Sequence, residues 1–150
     1  MATQALNERS LEPSTFSDGE RAVAREVVLR ADTTDATKTT MYISDDSTNG
    51  KVLVPTGSTI AFSAIIAGRS DAGASGGYFI RGLIENKAGT TAIIGSNVAD
   101  TPMEDTAGWA AVVEADDTNN AIAVGVTGAS SANVNWTCLL TMVEVSNADA

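Results

Sequence analysis

The sequence predicts an all-β fold: an antiparallel, jelly-roll-like β-sandwich of about nine strands, preceded by an extended N-terminal arm. Three observations carry this. Runs rich in Val, Ile, Thr and aromatic residues recur along the chain, punctuated at short spacing by clusters of Gly, Pro, Asn, Asp and Ser. No run makes a convincing helix by a 3.6-residue apolar period. A chain of 150 residues with 43% hydrophobic content and 13 glycines is one globular domain rather than a disordered polymer.

Residues 1–20, MATQALNERSLEPSTFSDGE, are mostly polar with isolated Leu6, Leu11 and Phe16. They keep neither strand nor helix period and read as an arm, and Pro13 limits any short helix there. The β-sandwich domain then occupies 21–150. RAVAREVVLRA (21–31) places Val23, Val27 and Leu29 on one parity, with Arg25 interrupting. A helix capped by Asp18 is the rival reading of this run, but adjacent Val27 and Val28 and the off-stripe Val23 favour a strand. KTTMYI (38–43), KVLV (51–54), STIAFSAIIAGR (58–69) and GYFIRGLIENK (77–87) follow, then TTAII (90–94), GWAAVVEA (108–115), NAIAVGVTG (120–128) and NVNWTCLLTMVEV (133–145). In the fourth of these nine runs, Ile60, Phe62, Ala64 and Ile66 alternate with Thr59, Ala61, Ser63 and Ile65, as a strand with one fully buried face does. No fixed-period repeat and no long linker divides the chain.

Composition narrows function. With 9 basic against 19 acidic residues the net charge is -10, which disfavours nucleic acid and anionic membranes as partners. Histidine is absent, which removes Ser-His-Asp and Cys-His catalysis and nearly every zinc-hydrolase site. The single cysteine, Cys138, cannot form an intramolecular disulfide and shares a strand parity with Val134, Trp136, Leu140 and Met142, so a buried, inert thiol is expected. No stretch nears the ~20 apolar residues of a membrane span, and residues 1–20 lack a signal peptide's basic start and apolar middle. Assembly in a cytoplasm is therefore expected.

Three groups of residues invite a chemical reading. Asp116, Asp117, Asn119 and Asn120 sit between two alternating apolar runs. A calcium loop needs oxygens at alternate positions and a glycine at the bend, whereas these acids are adjacent, so a hairpin turn is expected. The glycine-rich AGRSDAGASGGY (67–78), with Arg69, lacks both the GK[ST] of a P-loop and the GxGxxG of a dinucleotide site, and it too reads as a hairpin. Glu85, Glu104, Asp105 and Glu114 could supply paired carboxylates for glycoside hydrolysis. They fall at strand ends and in loops, however, without the apolar pocket that keeps one of them protonated. Asn135-Trp136-Thr137 matches a glycosylation sequon by chance within a strand. No catalytic residue, metal or cofactor is expected, and the chain reads as a non-enzyme.

The ordered blocks VVLRADTTDATKTTMYI, KVLVPTGSTIAFSAIIAGRSD, GYFIRGLIENKAGTTAIIGS, GWAAVVEADDTNNAIAVGVTG and NVNWTCLLTMVEV resemble a β-sandwich domain of virion structural proteins of tailed bacteriophages. The matching positions include Leu29, Thr34–Thr37, Pro55, Ala61, Phe62, Arg69, Gly82, Trp109, Thr118, Gly128 and Trp136, and the likeness spans about 21–145. It implies a non-enzymatic surface module located on the virion. Since the chain has no shaft, coiled coil or collagen-like repeat, the resemblance favours a capsid decoration (cement) protein, a homotrimer binding the major capsid protein across subunit junctions. The alternative it implies is a tail-fibre or receptor-binding tip contacting host glycans. Leu6, Leu11 and Phe16 would then anchor the arm as a subunit-docking device.

Overall fold

A computed structural model describes residues 21–147 and the backbone of 8–15. Its strands are β1 (Glu8–Thr15), β2 (Arg21–Thr33), β3 (Thr39–Thr40), β4 (Tyr42–Ile43), β5 (Val52–Leu53), β6 (Ser58–Ser70) and β7 (Ser75–Lys87). They continue with β8 (Thr90–Ile93), β9 (Val98–Ala99), β10 (Met103–Glu104), β11 (Ala110–Asp116), β12 (Ala121–Thr127) and β13 (Val134–Ser146). Two antiparallel sheets pack together as a β-sandwich. The large sheet runs β1-β2-β13-β6-β7-β10, with β4 on β2 and β8 and β9 on β7. The small sheet runs β11-β12-β3, with β5 also on β12.

Every one of the nine runs read from the sequence contains strand. KTTMYI divides into β3 and β4 because the chain changes sheets within it. Buried Met41 is the crossing point, its N–H donating to the Val124 carbonyl at 2.8 Å while β4 pairs with β2. The two-residue strands β9 and β10 were not anticipated; so brief a pairing leaves no alternation to read.

Strand β1 lies inside the segment expected to be an arm. Over 8–15 the hydrogen-bonding edge is supplied by the chain's own β2, with Glu8 opposite Val27 and Thr15 opposite Arg21. The register slips between Leu11 and Ser14, around Pro13. Proline has no N–H to give a ladder, so an edge strand with an irregularity is where a sheet tolerates it. Leu11 pairs through its backbone with Ala24, while Leu6 and Phe16 lie outside the described residues.

The core is set by alternation along the long strands. Even-numbered residues of β6, β7 and β13 and odd-numbered residues of β2 face the small sheet. Across the β2-β13-β6 ladder this produces the rows Ala31-Trp136-Gly68, Leu29-Cys138-Ile66 and Val27-Leu140-Ala64. Large side chains stand beside small ones, which lets the layer fill without overlap. The small sheet answers with Val113, Ile122, Val124 and Val126. Arg25 occupies an inward position yet reaches outward along the core edge, where Nη2 donates to the Leu53 carbonyl at 3.2 Å.

Candidate functional site

The acid and amide cluster Asp116–Asn120 is the loop of the β11–β12 hairpin, as its flanking alternation indicates. The Asn119 N–H donates to Asp116 Oδ1 at 3.1 Å, and Asn119 Nδ2 donates to Asp116 Oδ2 at 2.7 Å. Asn120 takes the left-handed conformation (φ 51°) that asparagine tolerates better than most residues. Asp117 reaches away from the hairpin to accept the Thr91 N–H at 2.7 Å, and the Thr91 hydroxyl meets Asn120 Oδ1 at 2.9 Å. The loop thus fastens the small sheet to β8 of the large one. Its carboxylates are turned to backbone and amide donors, not toward one another. Among the described residues no group of three or more Asp, Glu, His or Cys is arranged to hold a metal ion.

The glycine-rich stretch is the β6–β7 hairpin at the opposite end of the sandwich. Gly73 (φ 92°) supplies the reversal, and its N–H donates to the Ser70 carbonyl at 3.0 Å. Arg69 Nη1 donates to Ser75 Oγ at 2.7 Å, so its guanidinium braces the hairpin rather than an empty cradle. Asp71 and Asn133 tie this loop to the start of β13 through a side-chain bond of 3.0 Å.

Of the four acids considered for hydrolysis, Glu104 and Asp105 are adjacent, while Glu85 and Glu114 lie on other parts of the sandwich. Glu104 accepts a short hydrogen bond from the Tyr78 hydroxyl, and Asp105 Oδ2 accepts the Ser75 N–H at 2.9 Å. Glu114 forms an exposed ion pair with Lys38 on the small sheet. Glu85 lies nine residues along β7 from the Gly76 that pairs with Glu104, roughly 30 Å away at strand rise. Glu104 and Asp105, neighbours in sequence, are each engaged by a donor from β7, Tyr78 and Ser75 respectively.

Cys138 is fully buried between Leu29 and Ile66, and loss of solvation pushes its thiol up to about 12. Burial, with the Glu104 contact second, also raises the Tyr78 hydroxyl well above its ordinary 10.0. In the native state both groups keep their protons above the values at which the unfolded chain releases them. The stability these two groups contribute is therefore fully present below pH 9.0, and the share from Cys138 declines as the pH rises from there toward 12. A thiol reagent at pH 8 is expected to label Cys138 only as fast as the chain unfolds, following the denaturant profile. Rapid stoichiometric labelling of the native protein would contradict this burial.

Trp136, Trp109, Phe62, Gly82 and Gly128 lie in the contacts that join the two sheets. The Trp136 indole N–H donates to Thr33 Oγ1 at 3.0 Å in the core. A Cβ on Gly68 would stand 2.6 Å from the Trp136 ring, and one on Gly128 would stand 2.6 Å from Thr33 Oγ1. Trp109 packs edge-on to Trp136 at 5.3 Å, and Gly76 leaves room for Trp109. The space above Gly82 is taken by the Asn97 amide and the Phe62 ring, while Asn97 Nδ2 donates to the Val113 carbonyl at 2.8 Å. These residues hold two sheets together, and Trp109 also lines a small pocket of about 140 Å³ with Tyr78 and Pro102.

One surface escaped the sequence reading. The face of the large sheet turned away from the small one carries Val28, Leu139, Ile65 and Phe79 in one continuous cross-strand row. Val143 is 61% exposed, Val145 48% and Ile65 46%. A shallow groove of about 210 Å³ opens there between Ile65, Phe79, Arg81 and Asp100. The outer face of such a sheet is ordinarily polar. The available signal was apolar residues on both parities, as in Leu139-Leu140 and Ile65-Ile66. The other unread feature is Glu144, inward on β13 and 4% exposed, whose Oε2 has no hydrogen-bond partner among the described residues. No protein-family model matches this chain, and no curated protein matches it.

Proposed function

We propose that this protein is a structural component of a tailed-bacteriophage particle that decorates the outside of the head. There it would bind as a homo-oligomer across junctions between major capsid subunits. The observation that carries this reading is how the polar residues are used. The clusters capable of chemistry are engaged in fastening loops, while a broad apolar face is left at the surface. That is the economy of a binding and bracing module, and it accords with the sequence resemblance over 21–145. The mechanism is mechanical: extra buried area across a junction opposes separation of the capsid subunits under internal pressure.

The test uses heads that lack the protein. Purified full-length chain is expected to bind them at regular surface positions in electron images and to raise the temperature at which they release DNA. Deleting residues 2–18 is expected to weaken attachment while the sandwich stays folded, because β2 remains paired with β13 along its length. Binding to tail tips alone would favour the fibre-tip alternative. Failure to bind any part of the particle would overturn the proposal.

A further inference from the structure

The outer face of the large sheet carries two apolar rows, and the row between them runs from Glu26 on β2, which Arg9 of β1 stands opposite, to Arg81 on β7. Registers align Glu26 on β2, Thr141 on β13, Ser63 on β6 and Arg81 on β7 in a single row. The adjacent rows are Val28-Leu139-Ile65-Phe79 on one side and Ala24-Val143-Ala61-Leu83 on the other. Consider a two-fold axis lying in the interface, parallel to the strands and midway between β13 and β6. It stacks β2 of one copy on β7 of the other and β13 on β6. Each row then meets itself reversed.

From this register we infer that the face is an isologous contact that pairs two copies of this chain. Glu26 of each copy meets Arg81 of the other, twice per interface. Val143 faces Ala61, and Leu83 faces Ala24, so each large side chain in that row is set against a small one. Leu139 and Ile65 form the apolar centre. The footprint also suffices: four strands of about 13 residues cover roughly 20 by 40 Å, on the order of 800 Å² per copy. That is the area a standard stable interface buries on each partner, about 800 Å². Sheets packed in this way remain within about 30° of alignment, as aligned sandwiches do. This two-fold contact does not depend on the reading above; it uses the apolar face within the homo-oligomer and leaves other surfaces for the capsid. A three-fold association of the kind the resemblance implies would use other surfaces.

Sedimentation equilibrium of the full-length protein provides the test, with circular dichroism to confirm that each variant is folded. The intact chain is expected to dimerise with a Kd of about 1 μM or tighter. Ile65→Asp combined with Val143→Asp, both at exposed positions, is expected to give monomers. Glu26→Arg alone is expected to weaken association about tenfold or more, since like charges then oppose each other twice. Adding Arg81→Glu to Glu26→Arg restores opposite signs and is expected to recover dimerisation, an outcome that a merely sticky surface would not show. The inference is overturned by an intact chain that stays monomeric at about 100 μM, or by an oligomer of any size unaffected by the aspartates. It is equally overturned if the exchanged pair fails to recover association in a folded protein.

Discussion

Trp136→Ala is expected to lower the unfolding free energy by about 4–5 kcal/mol, the upper part of the range for truncating a buried aromatic. The ring is among the largest fully buried side chains, packed edge-on to Trp109 and tilted at 6.1 Å from Tyr78. Its neighbours in the inner row are Ala31 and Gly68, too small to collapse into the space vacated. The same truncation strands the Thr33 hydroxyl, which is buried and bonded to the indole N–H. At about 2–4 °C per kcal/mol for a chain of this size, the midpoint should fall by roughly 10–15 °C. Trp136→Phe separates the two contributions: it keeps much of the ring but not the donor, and should cost about 1–3 kcal/mol. Urea unfolding of both variants provides the measurement. A loss below about 1 kcal/mol for the alanine would show that the cavity closes and that Trp136 is not central to the core.

Asn86→Ala is expected to cost about 1–3 kcal/mol, chiefly because the carbonyl of buried Val54 loses its partner, while the Gly89 N–H lies in an exposed turn. Asn86 is 2% exposed, and its Nδ2 donates to the Val54 carbonyl at 2.8 Å while Oδ1 accepts the Gly89 N–H at 3.0 Å. The first bond crosses from β7 to the chain just after β5, and the second closes the turn into β8. Both sheets are therefore joined through one amide. Asn86→Asp keeps the acceptor but loses the donor and buries a charge, so it should be at least as damaging at neutral pH. Its deficit should shrink in acid, because a protonated carboxyl can again donate to Val54; buried, its folded pKa lies above the unfolded value. The stability it regains is complete below about pH 4 and disappears as pH rises through the folded pKa. An unfolding free energy for Asn86→Asp with no pH dependence between roughly 4 and 7 would exclude that account.

These two residues also show how unevenly structure is written in a sequence. Trp136 is legible: it stands in the even parity of NVNWTCLLTMVEV, and that parity alone places it inward. Asn86 is not, because an asparagine near a strand end reads as a turn signal, and only the approach of the Val54 carbonyl makes its burial tolerable. Asp116–Asn120 was legible as a hairpin because asparagine and aspartate act on their own local backbone. That Asp117 would bind Thr91, 26 residues away, was not. Pro13 marks a limit of a different kind. It argues against a helix in residues 1–20, yet nothing in ERSLEPST indicates that this backbone pairs with β2, since an edge strand needs hydrogen-bonding groups and no particular side-chain alternation.

By itself, the sequence determined the class of fold, the places of the long strands, the inward parity of β6 and β13, and the hairpins that join β6 to β7 and β11 to β12. All of these depend on periodicities and turn preferences that act within a dozen residues. The tertiary structure alone decided that β13 inserts between β2 and β6, that the chain changes sheets at Met41, and that one of two apolar parities on the large sheet is left at the surface. The physical reason is distance along the chain. Trp136 and its partner Thr33 are 103 residues apart, and local preference cannot choose between strands so far removed. Pairing is selected only when whole rows of large and small side chains fit together, and no stretch of a dozen residues contains such a row.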